Sequence, residues 1–306
     1  MKLISFRNKN KEKARSSVGI VIGESVLNLS AALNLDGMTS LIDRFSDLKD
    51  GIDALLTSAA ANKHYLLQLA DVRITAPLER PGKIICLAGN YREHIAESGY
   101  VVPETDEVIT QQLFLKPSSA IVGHESEILI GKSNTKVGWE TELAVIIGKR
   151  GRHIAPESAL DHVFGYAILN DVSERGLNST IKNRRHREMD RFLDWLGGKW
   201  FDTFAPFGPW IVTADEINDP HNLEIKLTIN GELRQQGNTR DMIFRIPEQI
   251  AYASSIMTLE PGDIISTGTP AGAGLGGGNS SLQSGDALIC EIEKIGELKN
   301  TVRYFE

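Results

Sequence analysis

Gly138-Trp139-Glu140-Thr141-Glu142-Leu143-Ala144-Val145-Ile146-Ile147-Gly148 sets two carboxylates at the head of an unbroken apolar run. A short apolar run closed by glycine reads as a strand buried in a sheet. On a strand, residues two apart project to the same side, so Glu140 and Glu142 point together. Two carboxylates on one face repel each other unless a cation neutralises them. A hard divalent ion such as Mg2+ takes oxygen ligands and suits the pair. The exposed face of an edge strand fits the same spacing.

Outward from this strand, Asp171 closes the apolar run Tyr166-Ala167-Ile168-Leu169-Asn170. Alone it reads as a turn or capping residue. With Glu140 and Glu142 it completes a three-carboxylate oxygen set. Upstream, Asn90 to Glu97 follows the strand KIICLAG, and His94 and Glu97 are neighbours on one helical face. A carboxylate beside an imidazole orients the ring and raises its basicity, as a general base acting on water requires. A plain surface pair is the alternative. Downstream, Thr267-Gly268-Thr269-Pro270-Ala271-Gly272 follows the strand DIIS, and its glycines let backbone N–H groups approach an anion. No Gly-Lys-Ser/Thr follows, so it is not a Walker loop. A simple tight turn fits equally.

The chain has 306 residues, with 33 Lys and Arg against 40 Asp and Glu, a net charge of −7. This balance argues against general nucleic-acid binding. A 41% hydrophobic, 24% charged composition is that of a folded globular protein. No apolar run reaches the ~18 residues of a membrane span, and the first residues carry no secretory h-region. A soluble, cytoplasmic protein is expected. Cys86 and Cys290 sit in apolar runs and read as free buried thiols.

Residues 1–78 form a small N-terminal unit of short strands and helix, bounded by Ala76-Pro77 and Arg80-Pro81-Gly82. Within it, Met38 to Ala70 reads as helix interrupted near Asp50-Gly51. From residue 79 to 306 the chain is a succession of short strands bounded by Gly, Pro, Asn or Asp. Helices are expected at Tyr91–Ser98, Ser179–Leu196 and Pro247–Leu259. Gly272 to Ser281 is a glycine-rich run. The fold class is therefore α+β and β-rich.

In chain order, CLAGNYREHIAE, FLKPSSAIVG, GWETELAVIIGKRGR, FGYAILNDVSERG, GKWFDTFAPFGPWIV, LTINGELRQQGNTRDMIF and EPGDIISTGTPAG resemble the fumarylacetoacetate hydrolase family from about Lys83 to Arg303. The resemblance implies a mixed β-sandwich or roll core with a small N-terminal α/β domain, usually in a homodimer. It implies a divalent cation (Mg2+, with Mn2+ or Ca2+ possible) held by Glu140, Glu142 and Asp171. It implies Lys199 as a site lysine and His94 with Glu97 as a dyad on a short helix over the substrate. Arg175, Lys116 and Thr269 fall in pocket-lining segments. Asn178 stands where many relatives carry glutamine.

The activity implied is hydrolysis of a C–C bond in a β-diketo (acylpyruvate-type) acid through a metal-stabilised enolate. Isomerisation of a 2-hydroxyhepta-2,4-diene-1,7-dioate, as in aromatic catabolism, or decarboxylation of an oxaloacetate-type acid could use the same platform. The partner is a small 2-oxo or diketo acid, with neither nucleic acid nor membrane. A non-catalytic metal- or ligand-binding protein is the alternative of another class, and a lysine and a dyad together argue against it. Residues 178–198 are polar, and Lys182–Arg191 carries five basic and two acidic residues. It reads as a solvated helix face or as a lid attracting an anionic substrate.

Overall fold

The computed structural model describes residues 1–11, 15–58, 62–104, 108–132, 134–274 and 281–305. The first 75 residues give β1 (Lys2–Asn8), β2 (Ser17–Ile22), β3 (Ser25–Asn28), α1 (Leu29–Leu33), α2 (Met38–Asp43), α3 (Phe45–Thr57), β4 (Leu66–Gln68) and β5 (Val72–Thr75). β6 (Ile84–Ala88) leads into α4 (Arg92–Glu97). Then come β7 (Gln112–Lys116), β8 (Ile121–Val122), β9 (Glu127–Gly131), β10 (Val137–Gly138) and β11 (Thr141–Ile147). β12 (Val163–Asn170), β13 (Ser173–Glu174), α5 (Asp190–Gly197) and β14 (Ala205–Thr213) follow. The chain closes through β15 (Glu224–Ile229), β16 (Glu232–Asn238), α6 (Ile246–Ile256), β17 (Ile264–Ser266), β18 (Ala287–Ile292) and β19 (Gly296–Phe305).

The large sheet runs β4-β3-β2-β1-β14-β12-β11-β17-β6-β7, with β5 on β1 and β8 on β14. A five-stranded sheet runs β16-β15-β18-β19-β9. Alternation along β11 creates three layers. Leu143, Val145 and Ile147 pack with Ile225, Leu227, Leu288 and Cys290 of the second sheet. Ala144 and Ile146 face the other way, into a core with Leu41, Ile42 and Ile52 of α2 and α3. Burial on both faces explains why this strand is apolar from Leu143 to Ile147. Each fully buried Leu, Ile or Val contributes about 1.5–3 kcal/mol.

Residues 1–78 are hydrogen-bonded into this frame. β1 pairs antiparallel with β14, Leu3 opposite Ile211. Leu3, Val18 and Ile20 share a core with Ile84, Ala144 and Phe207.

Three helix expectations change. The break after α2 falls at Arg44, not at Asp50-Gly51, which lies inside α3. A mid-helix glycine costs about 1 kcal/mol, and the buried Ile52 with the partly buried Leu48 and Leu55 offsets it. After α3, β4 flanked by two short 3-10 turns, Lys63–Tyr65 and Leu69–Asp71, replaces the helix expected up to Ala70. The helix expected from Ser179 is confined to α5, because Asn178 and Asn183 take left-handed backbone (φ 62 and 57) and turn the chain before it. The glycine-rich run lies outside the described residues over 275–280. Cys86 and Cys290 are buried thiols.

Candidate metal centre

β11 and β12 run antiparallel with Thr141 opposite Asn170. The ladder continues one step further, where the Asp171 N–H donates to the Glu140 carbonyl at 2.8 Å. Glu142 keeps the parity of Ala144 and Ile146, and Asp171 that of Ala167 and Leu169, so both leave the sheet on its helix-covered face. One oxygen from each of Glu140, Glu142 and Asp171 lies within 4.8 Å of the others, and all three side chains are buried.

Three cations surround the carboxylates. Lys199 Nζ donates to Glu140 Oε2 at 2.9 Å and to Asp171 Oδ2 at 2.7 Å. Lys116 Nζ donates to Asp171 Oδ1 at 2.7 Å and to the Val172 carbonyl at 3.1 Å. Arg175 Nη2 donates to Glu140 Oε1 at 2.6 Å. Burial alone would push Glu140 up, but the charges of Lys199 and Arg175 hold it well below the usual carboxylate range. Burial would likewise lower Lys199, yet Asp171 and Glu140 keep its ammonium above the ordinary lysine range. Glu142 goes the other way. Burial, then the charges of Asp171 and Glu140, push it well above the ordinary value. Its Oε2 accepts from Ser266 Oγ and from the Gly268 N–H at 3.0 Å.

The donor set decides what fits here. It is three buried carboxylates, all hard oxygen, with no thiolate or imidazole among them, and it suits a hard divalent cation such as Mg2+ or Mn2+.

The dyad helix stands across the Pro270–Ala273 loop. His94 Nδ1 lies 3.7 Å from Glu97 Oε2. It is buried with no hydrogen bond among the described residues. Glu97 Oε2 accepts from the Gly272 N–H at 2.8 Å and the Ala273 N–H at 3.4 Å. Burial would raise Glu97, but the adjacent His94 ring and these two amides hold it below the usual range. The loop that glycine spacing marked as an anion cradle thus holds the protein's own carboxylates: Glu142 at Gly268, and Glu97 at Gly272 and Ala273. The Ala273 carbonyl in turn accepts from Arg175 Nη2 at 3.3 Å.

The other expected residues divide. Thr269 Oγ1 donates to the Thr141 carbonyl at 2.9 Å, beside the cluster. Asn178 is not brought there. Its Nδ2 donates to Asp194 Oδ1 at 2.7 Å, and Arg184 pairs with the same carboxylate. Of the basic segment, Arg184 and Arg187 are spent on Asp190 and Asp194. Two residues were missed. Ser266 sits on Glu142, and Gln235 is the one buried position on β16. A cavity of about 650 Å3 opens on the other side of the Pro270–Ala271 turn, lined by Tyr91, Arg92, Met242, Phe244 and Arg240.

Residues 83–303 match the fumarylacetoacetate (FAA) hydrolase C-terminal family. The chain belongs to the fumarylacetoacetate hydrolase family. An oxaloacetate tautomerase of Xenopus laevis, named as mitochondrial, is 38% identical over 99% of this chain and 90% of its own. A maleylpyruvate hydrolase from Sphingobium sp. SYK-6 is 35% identical with a TM-score of 0.78, each chain covered completely. That hydrolase has been crystallised in complex with manganese(II) and pyruvate. A 2-hydroxyhepta-2,4-diene-1,7-dioate isomerase from Mycobacterium marinum is 28% identical with a TM-score of 0.71, covering 99% of this chain and 98% of its own. The α+β, strand-rich fold read from the sequence is the fold these relatives share. Among the described residues no helix is long and apolar enough to cross a membrane.

Proposed function

We propose that this chain is a divalent-cation-dependent enzyme that cleaves a C–C bond of an acylpyruvate-type β-diketo acid. The observation that carries the reading is the convergence of three buried carboxylates with Lys199 and, across one loop, the His94–Glu97 pair. Glu140, Glu142 and Asp171 would hold Mg2+ or Mn2+. The cation, when bound, supplies Lewis acidity toward the carboxylate and 2-oxo oxygens of the substrate. Lys199 and Lys116 fix the orientation of Asp171, and Lys199 and Arg175 that of Glu140. The same lysine and arginine place positive charge near the oxygen that becomes negative as the bond breaks. Glu97, kept ionised, orients His94. His94 takes a proton from a water that attacks the distal carbonyl. The C–C bond then breaks with its electron pair on the pyruvyl fragment, which is protonated to pyruvate, and the other fragment leaves as a carboxylic acid.

Oxaloacetate keto–enol tautomerisation is the second reading, favoured by the tautomerase from Xenopus laevis. It needs only the proton transfer at His94 and no attacking water. Leu115, Phe192, Leu193 and Trp200 are about half exposed. Trp200 Nε1 donates to the Leu115 carbonyl. This apolar surface supports a homodimer, which light scattering would test.

The deciding experiment is a panel of acetylpyruvate, fumarylpyruvate, maleylpyruvate, oxaloacetate and a hydroxydienedioate, with Mg2+, Mn2+ or EDTA. Cation-dependent pyruvate release from a diketo acid is expected. An ultraviolet enol signal from oxaloacetate with no pyruvate from any diketo acid would replace hydrolysis by tautomerisation. CO2 release alone would make the chain a decarboxylase.

A further inference from the structure

Three buried groups close a ring beside the carboxylate cluster. The Thr141 N–H donates to Gln235 Oε1 at 3.0 Å. Gln235 Nε2 donates to Thr269 Oγ1 at 2.9 Å. Thr269 Oγ1 donates to the Thr141 carbonyl at 2.9 Å. All three residues are at most 2% exposed. Gln235 Nε2 also donates to the Pro270 carbonyl at 2.9 Å. The residue clasped at both its N–H and its C=O is the one between Glu140 and Glu142.

The ring exists because a strand runs out. β11 pairs with β17 only from Ala144, opposite Ser266, to Ile146, opposite Ile264. Toward its head, β11 has β12 on one side and, among the described residues, no strand on the other. In an antiparallel ladder the N–H and C=O of one residue point to the same side. Both groups of Thr141 would be buried without partners there, a costly condition. Gln235 reaches across from the second sheet and, with Thr269, replaces the missing strand for one residue.

We propose that Gln235 is a positioning residue for the cation site, holding the Glu140–Glu142 backbone through this ring with Thr141 and Thr269. The inference rests on the reading that Glu140 and Glu142 are cation ligands. Gln235 makes no hydrogen bond to the side chains of Glu140, Glu142 or Asp171. It sets the pitch between two ligands, and through Pro270 it ties that pitch to the loop whose Gly272 and Ala273 amides hold Glu97. Thr269 is thereby assigned a part in holding the strand that does not depend on substrate.

Mn2+ binding to the full-length protein, measured by calorimetry without substrate, tests this. Outer-shell partners of ligands typically change metal affinity about 10–100-fold. Gln235→Met keeps the side-chain length and removes all three hydrogen bonds. Thr269→Val keeps the shape and opens the ring at another corner. Each is expected to weaken Mn2+ binding about tenfold, with the circular-dichroism spectrum unchanged. The double variant should be little weaker than either single one, because a ring is broken only once. Affinity within threefold of wild type in either single variant overturns the inference while leaving the cation site standing. So do losses that simply multiply in the double variant. If Gln235→Met does not fold, Thr269→Val decides alone, since a substrate-only role for Thr269 leaves Mn2+ affinity unmoved. Absence of Mn2+ binding by the wild-type protein overturns the cation reading itself, and the inference with it.

Discussion

Glu97 accepts the Gly272 N–H at 2.8 Å although 175 positions separate them in the chain. The contact joins helix α4 to the loop whose next carbonyl, that of Ala273, accepts from Arg175, and Arg175 ends on Glu140. Gly272, Ala273 and Arg175 thus connect the dyad to the edge of the carboxylate cluster.

Gly272→Ala tests this connection. Gly272 has φ +93, and a Cβ there would overlap the Arg234 carbonyl. The loop must move, withdrawing two amides from Glu97. Turnover at saturating cation is expected to fall at least about tenfold. Stability should drop by about 1–3 kcal/mol, the scale of one strained backbone position. Steady-state kinetics and urea unfolding measure both, and unchanged turnover would remove the loop from the catalytic arrangement.

His94→Ala separates the chemistry from the cation. A general base contributes about 10²–10⁴-fold, so kcat should fall by that range. Calorimetric Mn2+ affinity should stay within a few-fold of wild type, because His94 is no part of the carboxylate set. Near-normal kcat would end the role assigned to His94.

Glu142→Gln exchanges function for stability. With no cation bound, Glu142 is pushed up by burial and then by Asp171 and Glu140, so the folded protein holds its proton beyond the ordinary carboxylate range. An acid raised by folding favours the native state below its unfolded value. That contribution is lost as pH climbs toward the folded value. Both hydrogen bonds to Glu142 fall on Oε2, so a glutamine oxygen can accept them while its amide replaces Oε1. The variant should lose Mn2+ binding yet melt a few degrees higher in EDTA at pH 8, about 2–4 °C for each kcal/mol gained. For the wild-type protein, cation binding should release a proton and weaken as pH falls. Calorimetry in buffers of different ionisation enthalpy reads that release.

Lys199→Met removes the ammonium shared by Glu140 and Asp171. Both carboxylates stay buried with less compensation, and breaking such a buried pair costs about 3–5 kcal/mol. Chemical denaturation in EDTA should show that loss, and added Mn2+ should recover part of it by restoring positive charge. A denaturation midpoint equal to wild type would mean that the lysine does not balance the cluster.

The Glu140–Glu142 pair was legible because it obeys a local rule: two glutamates alternate on one strand, so strand parity places them on one face. Asp171 closes another apolar run and reads alone as a turn or cap, so the family resemblance was needed to join it to them. Lys199 and Lys116 carry no such local signal, and only the family resemblance marked them. Gln235 escaped notice because it sits between Arg234 and Gln236 on a largely polar β16, and nothing in that pattern separates a glutamine that meets another sheet from one that meets water. Asn178 came from position relative to Arg175, but its left-handed backbone turns it toward Asp194 instead. The helix expected from Ser179 failed for the same reason, since two asparagines with positive φ end a regular pattern before α5 begins.

The pairing of β1 with β14 sets the order in which the protein can be completed. Lys2 lies opposite Val212. At roughly 5–20 residues per second, a ribosome takes on the order of 10–40 s to deliver the partner after β1 has emerged. Until then β1 can pair with β2 and β5, but its other neighbour has not been made. Contacts this distant in sequence form late, because the intervening chain must first be gathered in. The Lys2–Leu3 end of β1 therefore waits for its β14 partner through most of synthesis. Substitutions there that leave the finished enzyme intact will first reduce how much of it is made.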